Sequence, residues 1–255
     1  MARRTRSMNR IADDGADSTA SPLSNLLLAR LPERELARVV EKGEQISAAL
    51  RDEFFEIRAP INKVWFPLTG MASLVTVLKD GTSLEGMAVG REGFVGLPLF
   101  HGIKTHRSMG MCQIEGDFFV MSADDFVEVL EESPELQSQL HLYSQYASEV
   151  LTQSAACNGT HLVEQRCARW LLTTADAVGR TTFNLTQEFL SQMLAVRRPG
   201  VTVAVGALER QGLIAHRYGA VTIVDITGLK DASCECYTTV RDNAQELWNV
   251  SELIS

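Results

Sequence analysis

The spacing of apolar and polar positions changes character three times along the chain. Leu23 to Leu36 places apolar residues at Leu26, Leu27, Leu28, Leu31 and Leu36, with Pro32 opening a second short helix. From Phe54 to Met121 the pattern shifts to short strand-like runs: Phe54–Ile57, Val64–Phe66, Met71–Leu78, Thr82–Val89, Met109–Ile114 and Asp117–Met121. The clearest hairpin joins Met71–Leu78 to Thr82–Val89 through Lys79-Asp80-Gly81, where Asp-Gly supplies the positive φ that a tight turn needs. Strands at this spacing predict an all-β sandwich or barrel. Ser122, with Asp125 three residues on, caps a short helix running to Glu132.

Pro134 then starts a longer helix, to about Ala156. Along it Leu136, Leu140, Tyr143, Ala147, Val150, Leu151 and Ser154 recur at three- and four-residue steps. A lone helix of more than five turns has little in a small domain to cover such a stripe. Pairing with its copy across a two-fold axis is the economical answer, and these seven residues are the candidate dimer seam. Packing of the same stripe onto its own β domain stays open, because stripe width does not separate the two. Asn158-Gly159 marks a hinge into a second unit.

The second unit begins with a helix from His161 to Val178, whose core positions are Leu162, Cys167, Trp170, Leu171 and Ala175. Gly179 and Arg180 end it, and Thr181–Leu185 is an extended link. Thr186 is an N-cap for a helix carrying Leu190, Met193 and Leu194 inward. Ala195-Val196 makes a turn, and Pro199 suits the first turn of the next helix, where its missing N–H does no harm. There Val201, Ala204 and Leu208 share one face, while Arg198, Thr202 and Val203 point away near the N-terminus. Gln211-Gly212 closes that helix, and Leu213–Arg217, Tyr218-Gly219 and Ala220–Val224 form a small hairpin, a wing with Arg217 at its tip. Two short helices and a tight turn expose the leading end of the second helix. Its arginines suit guanine edges or phosphates, and Arg217 suits a phosphate.

Composition alters this picture in one respect. The chain of 255 residues is 45% apolar and 22% charged, ordinary for a soluble protein, but its net charge is −8. That sign looks wrong for a DNA binder, so the distribution decides. Between 159 and 230, Arg166, Arg169, Arg180, Arg197, Arg198, Arg210, Arg217 and Lys230 outnumber Glu164, Asp176, Glu188, Glu209 and Asp225. Acids gather elsewhere, as at Glu128, Glu131, Glu132 and Glu135. One end of the molecule is therefore fitted to meet nucleic acid. No apolar run nears the roughly 18 residues of a membrane span, and the arginines at 3, 4, 6 and 10 are not followed by an apolar leader segment, so no membrane partner and a cytoplasmic location are expected.

Taken together, the expected fold is α+β. A disordered tail (1–22) precedes a β-roll with flanking helices (23–133), a dimerisation helix (134–158), a winged helix-turn-helix (159–230) and a C-terminal extension (231–255). The order of parts, and the residues His161-x-x-Glu164-x-Arg166-x-Ala168-Arg169-Trp170-Leu171-Leu172, Leu185–Leu190, Val196-Arg197-Arg198 and Leu208–Ile214, resemble the Crp/Fnr superfamily of bacterial transcription regulators. The resemblance implies a cyclic-nucleotide-binding-like roll and DNA contacts by Thr186, Arg197, Arg198, Pro199, Gly200, Thr202, Val203 and Arg217. It implies a homodimer on a palindromic duplex, with RNA polymerase a further candidate partner. Ala195 departs from the glycine common in the family's turn and costs about 1 kcal/mol if the position is left-handed. Pro199 and Gly200 replace side chains that often make polar base contacts, so the operator sequence does not carry over.

The family's nucleotide-binding members resemble one another in a loop with glycine, a ribose-binding glutamate and a phosphate-binding arginine followed by serine or threonine. Here Gly96, Leu97, Arg107 and Ser108 mark the candidate effector pocket, but Leu97-Pro98 stands where the glutamate would be. Cyclic AMP in the usual mode is therefore not expected. The family's iron–sulfur sensor has its cysteines mainly at the N-terminus, whereas this chain has none before Cys112. Cys234 and Cys236 would offer two thiolates, with Cys157, Cys167 or His161 as distant helpers, and His101 and His106 flank a loop as candidate haem ligands. Neither pattern has the tight spacing of a ligand set, so no metal and no cofactor are expected. No nucleophile triad, phosphate-binding glycine loop or paired-carboxylate motif stands out, so no catalysis is expected. A DNA-binding regulator under an unidentified effector is the leading function, against a ligand- or protein-binding module whose winged helix does not touch DNA.

Overall fold

The structure, a computed structural model, describes residues 20–81 and 83–248. Most of the expected N-terminal tail, up to residue 19, and Thr82 of the expected second hairpin strand lie outside the described residues. Single 3-10 turns at Pro22–Ser24 and Leu28–Arg30 lead to helix α1 (Glu33–Lys42), which starts directly after Pro32. Between the two turns the buried Asn25 amide donates to the carbonyls of Pro67 and Gly93, at 3.1 and 2.9 Å. Its Oδ1 accepts from the N–H groups of Leu27 and Leu28, so all its polar capacity is used in pinning the entry segment to the β layer.

Seven strands follow: β1 (Gly43–Ala48), β2 (Glu53–Phe55), β3 (Lys63–Pro67), β4 (Met71–Val77), β5 (Ser83–Val89), then β6 (Met109–Ile114) and β7 (Gly116–Ser122). They form two antiparallel sheets of order β1-β7-β3 and β2-β6-β4-β5. The hairpin β4–β5 forms where Asp80-Gly81 predicts it, with Gly81 at φ 85°. The spacing argument misses β1. The space between the sheets is filled by rings: Phe54 stacks on Trp65 at 4.1 Å, Phe118 stands edge-on to both, and Phe66 stacks on Phe94 at 5.4 Å. A one-turn helix α2 (Leu97–Phe100) interrupts the roll between β5 and β6.

Helix α3 (Ala123–Glu131) begins as expected at Ser122, whose hydroxyl accepts from the Asp125 N–H. Helix α4 runs Pro134–Thr160. The buried Glu35 carboxylate of α1 caps it, accepting from the N–H groups of Glu135 and Leu136 at 3.3 and 3.1 Å. One expectation needs correction here. Leu136, Leu140, Tyr143 and Ala147 are buried in the chain's own roll core, with Tyr143 5.5 Å from the Phe94 ring. Helices α2 and α3 and the Phe94 ring pack against the first half of α4, so those four buried residues are not free to form a dimer seam. Val150 packs at the core edge, Ser154 is half-buried, and Leu151 is 47% exposed.

The second unit contains α5 (Val163–Val178), β8 (Thr182–Asn184), α6 (Gln187–Met193), α7 (Arg198–Arg210), β9 (Ile214–Arg217) and β10 (Ala220–Ile223), followed by α8 (Ile226–Ala232) and α9 (Cys236–Trp248). Gly179 ends α5 at φ 67°, a left-handed stop favouring glycine. The short strands pair in the order β8-β10-β9. This unit shares an apolar cluster with Met71, Val75 and Ile114 of the roll. Polar bonds cross the same boundary: Trp170 Nε1 donates to Glu85 at 3.1 Å, and Arg180 and Asn184 both donate to Glu115. The C-terminal segment returns to the roll. Ala244 of α9 is buried in its core, and the Trp248 ring lies 5.0 Å from Tyr146, with the Arg30 guanidinium 6.0 Å above it. Among the described residues no helix is long and apolar enough to cross a membrane.

Candidate nucleic-acid interface

Helix α6 starts at Thr186, whose hydroxyl accepts from the Phe189 N–H at 3.2 Å. It buries Phe189, Leu190 and Met193 and packs against α7 and strand β5 of the roll. The turn to α7 passes through Ala195 at φ 50°. The position is left-handed, and the alanine methyl is carried there at a cost of about 1 kcal/mol. Arg166 offsets this strain. Its buried guanidinium donates to the Leu194 carbonyl directly before the turn. Counted among the basic residues of the segment, Arg166 is thus an internal clamp rather than part of the outer surface. Burial pulls its pKa down, partly countered by the thiols of Cys157 and Cys234.

Helix α7 opens with Arg197 as N-cap residue and Pro199 in its first turn. Val201, Ala204, Val205 and Leu208 are buried, and together they hold the helix on the unit's core. On the opposite face Arg197, Arg198, Pro199, Thr202 and Val203 are exposed, with Val203 at 69%. Gly200 is half-buried, and no atom outside its own helix lies near the position a Cβ would take. Thr202 donates its hydroxyl to the Gln187 side chain at 2.8 Å, tying the leading end of α7 to that of α6. The exposed Thr186 stands at the start of the same face, next to the wing through the Leu185 N–H bond to the Gly219 carbonyl. In the wing Arg217 is exposed, as expected, and Tyr218 at φ 52° is the most exposed of the large hydrophobic side chains described. The sequence argument used Tyr218 only as a turn residue. An aromatic ring held into solvent at a hairpin tip, beside an arginine, is a contact group that its neighbours could have signalled.

The backbone N–H groups of the first turn of α7, with Arg197 and Arg198 beside them, form an electropositive helix end on a surface otherwise acidic in sum. Such an end, projecting from a two-helix unit beside a hairpin, has the shape and charge to enter a groove of a polyanion.

The candidate effector residues differ in placement, and Gly96 alone of the four is buried. Gly96 sits at φ 147° with Val64 against the place of a Cβ, Leu97 is half-buried, and Arg107 is exposed. Ser108 is half-buried beside it. The two loop histidines differ from each other. His106 is buried flat on the Phe55 ring, and burial pushes its pKa down to about 4. His101 is exposed, 3.1 Å from the Ser144 hydroxyl on α4.

A winged helix-turn-helix joined to a two-sheet roll by a long helix defines the fold class of the molecule. Residues 165–232 match the family model of the Crp-like helix-turn-helix domain. No curated protein matches the chain by sequence. Solved structures of the same fold include FixK2 from Bradyrhizobium japonicum, at 16% identity and TM-score 0.63 over 75% of this chain and 98% of that one. A CRP-family transcriptional regulator from Thermus thermophilus matches at 18% identity and TM-score 0.62, over 74% and 96%. The c-di-GMP responsive global regulator CLP of Xanthomonas campestris matches at 15% and 0.62, over 75% and 99%. The chain has the β-roll and C-terminal helix-turn-helix of the Crp/Fnr regulators.

Proposed function

We propose that the chain is a sequence-specific DNA-binding transcription regulator that works as a homodimer, with α7 in the major groove of each half-site. The observation that carries this is the leading end of α7: its apolar face is spent on the core, leaving Arg197, Arg198 and Thr202 exposed alongside Arg217 and Tyr218 of the wing. Arg197 and Arg198 suit guanine edges or phosphates, Thr202 and Val203 suit base edges or a thymine methyl, and Arg217 positions the wing on the backbone. Thr186 at the start of α6 suits a phosphate from the other side of the groove. The partner copy is proposed to pack on the exposed second half of α4, around Leu151, in place of the buried Leu136–Ala147 stripe. A two-fold pair would match a palindromic duplex, with half-sites about one helical turn apart. A cyclic nucleotide held in the family's usual way is not part of this proposal, because Arg107 faces solvent and rings fill the roll.

Selection from a random duplex pool followed by gel shift tests the assignment. The wild-type chain should enrich a two-fold symmetric sequence and lose affinity steeply as salt rises. The double variant Arg197→Ala/Arg198→Ala should bind at least about tenfold more weakly, with a shallower salt slope. No enrichment by the wild type, or equal binding by the folded double variant, would rule the proposal out in favour of a protein-binding module.

A further inference from the structure

Three of the five cysteines and one histidine converge at one point. Cys157 lies in the last turns of α4 and His161 is that helix's C-cap residue. An i, i+4 spacing sets the two on one side of the helix end. Cys234 precedes α9 and Cys236 begins it. The fold closes a gap of 77 residues to place Cys157 Sγ 3.5 Å from Cys234 Sγ. Cys236 Sγ is 3.5 Å from His161 Nδ1, and all four donor atoms lie within 4.8 Å of one another. The three cysteines are buried and form their own cluster, separate from both apolar cores. Cys167, the other helper considered from sequence, lies instead in the winged-helix core, where burial pushes its thiol up to about 12.

We infer that Cys157, His161, Cys234 and Cys236 form a structural zinc site that fastens the end of α4 to the start of α9. Zinc takes thiolate at about 2.3 Å and imidazole at about 2.0 Å in a tetrahedron, which puts ligand atoms roughly 3.5–3.8 Å apart. The two 3.5 Å separations already meet that spacing, and the remaining ones need to close by about an ångström at most. A multi-iron cluster would hold its sulfurs further apart, because iron–iron distances are added between them. Four protein donors leave no open coordination position, so the site is structural and not catalytic.

The surroundings have the makings of a second shell. His161 Nε2 donates to the Glu235 carboxylate at 3.1 Å, which leaves Nδ1 as the lone-pair atom turned toward the thiols. This is the carboxylate–imidazole arrangement that fixes the tautomer of a ligating histidine. The Gln153 amide donates to Cys236 Sγ at 3.0 Å, an N–H···S bond that tempers thiolate charge. Three thiolates on one divalent cation carry a net negative charge, and the Arg169 and Arg166 guanidinium groups lie within electrostatic reach of Cys157. On binding, the cysteines release their protons to solvent and His161 coordinates as the neutral imidazole.

Elemental analysis of the full chain, purified reduced and without chelator from zinc-supplemented cells, tests this. One zinc per chain is expected, falling to near zero in Cys234→Ser/Cys236→Ser and unchanged in Cys167→Ala. Cobalt(II) added to the reduced, zinc-stripped chain should give sulfur-to-metal charge-transfer absorption and the intense visible bands of a tetrahedral ion. His161→Cys should keep its zinc as a four-cysteine site, and Glu235→Gln should bind zinc roughly 10–100-fold more weakly in chelator competition. These two variants decide the matter if the serine pair fails to fold. Several outcomes would overturn the inference: no zinc and no cobalt uptake, stoichiometric iron and sulfide, or a native Cys157–Cys234 disulfide in the metal-free chain. Because every readout is metal content or spectrum, failure here leaves the DNA-binding proposal standing, and the reverse also holds.

Discussion

The two halves of α4 are built for different purposes. From Leu136 to Ala147 the helix is sunk in an apolar core beside Phe94, and its apolar stripe is buried within one chain. From Val150 onward it leaves the roll, shows Leu151 to solvent, and turns Ser154 and Asn158 toward a cavity also lined by Glu85, Arg169 and Cys236. A stripe of constant spacing therefore serves as core at one end and as surface at the other. Periodicity reports that a face is to be covered and does not say by what. Structure is invested in the first half, and the second half is where α4, the roll, α5 and α9 meet.

Substitutions along this divide should differ in size and kind. Leu140→Ala, in the first half, should cost about 2–5 kcal/mol in denaturant unfolding, since a fully buried leucine is replaced by a void. A loss under about 1 kcal/mol would mean the stripe is not core. Next comes Glu85, across the cavity from the second half. Burial raises its pKa from 4.5 to about 6, despite hydrogen bonds from Ser73 and Trp170 and the nearby Arg169 charge. The native state holds this proton more tightly than the unfolded chain does. Its stabilising contribution is therefore fully present below about pH 4.5 and is lost as pH rises through about 6, a difference of roughly 2 kcal/mol. Glu85→Gln should remove this component, visible as a flatter plot of Tm against pH between about 4 and 7. An unchanged plot would show that the contact is open to water. The smallest effect on stability belongs to Leu151→Ala, within about 0.5 kcal/mol for the unfolding of a single chain. Its effect should instead appear as weaker self-association in sedimentation velocity on dilution, and equal association would move the proposed seam elsewhere.

Much of this architecture was legible where the code is local. Asp80-Gly81 between two alternating runs specified a hairpin, Ser122 and Thr186 specified helix starts, and Pro199 marked the first turn of α7. The exposed arginines of α7 followed from the spacing of Val201, Ala204 and Leu208 on the opposite face. Strand β1 escaped because Gly43–Ala48 buries only Ala48, so no apolar alternation announces it. Arg166 looked like one more basic residue because its carbonyl partner, Leu194, is brought in only by the helix turn. The thiol–imidazole cluster was visible only as a candidate set that its spacing spoke against. Its two halves are 77 residues apart, and only the return of α9 along α4 unites them.

The three tryptophans fall in three different environments. Trp65 is stacked in the aromatic interior of the roll, Trp170 is bonded to Glu85 where the winged helix meets the roll, and Trp248 lies against Tyr146 on the returning helix. One intrinsic fluorophore thus sits in each of three distinct parts of the fold. Chains retaining a single indole would let emission from roll, boundary and returning helix be followed separately, without any attached dye.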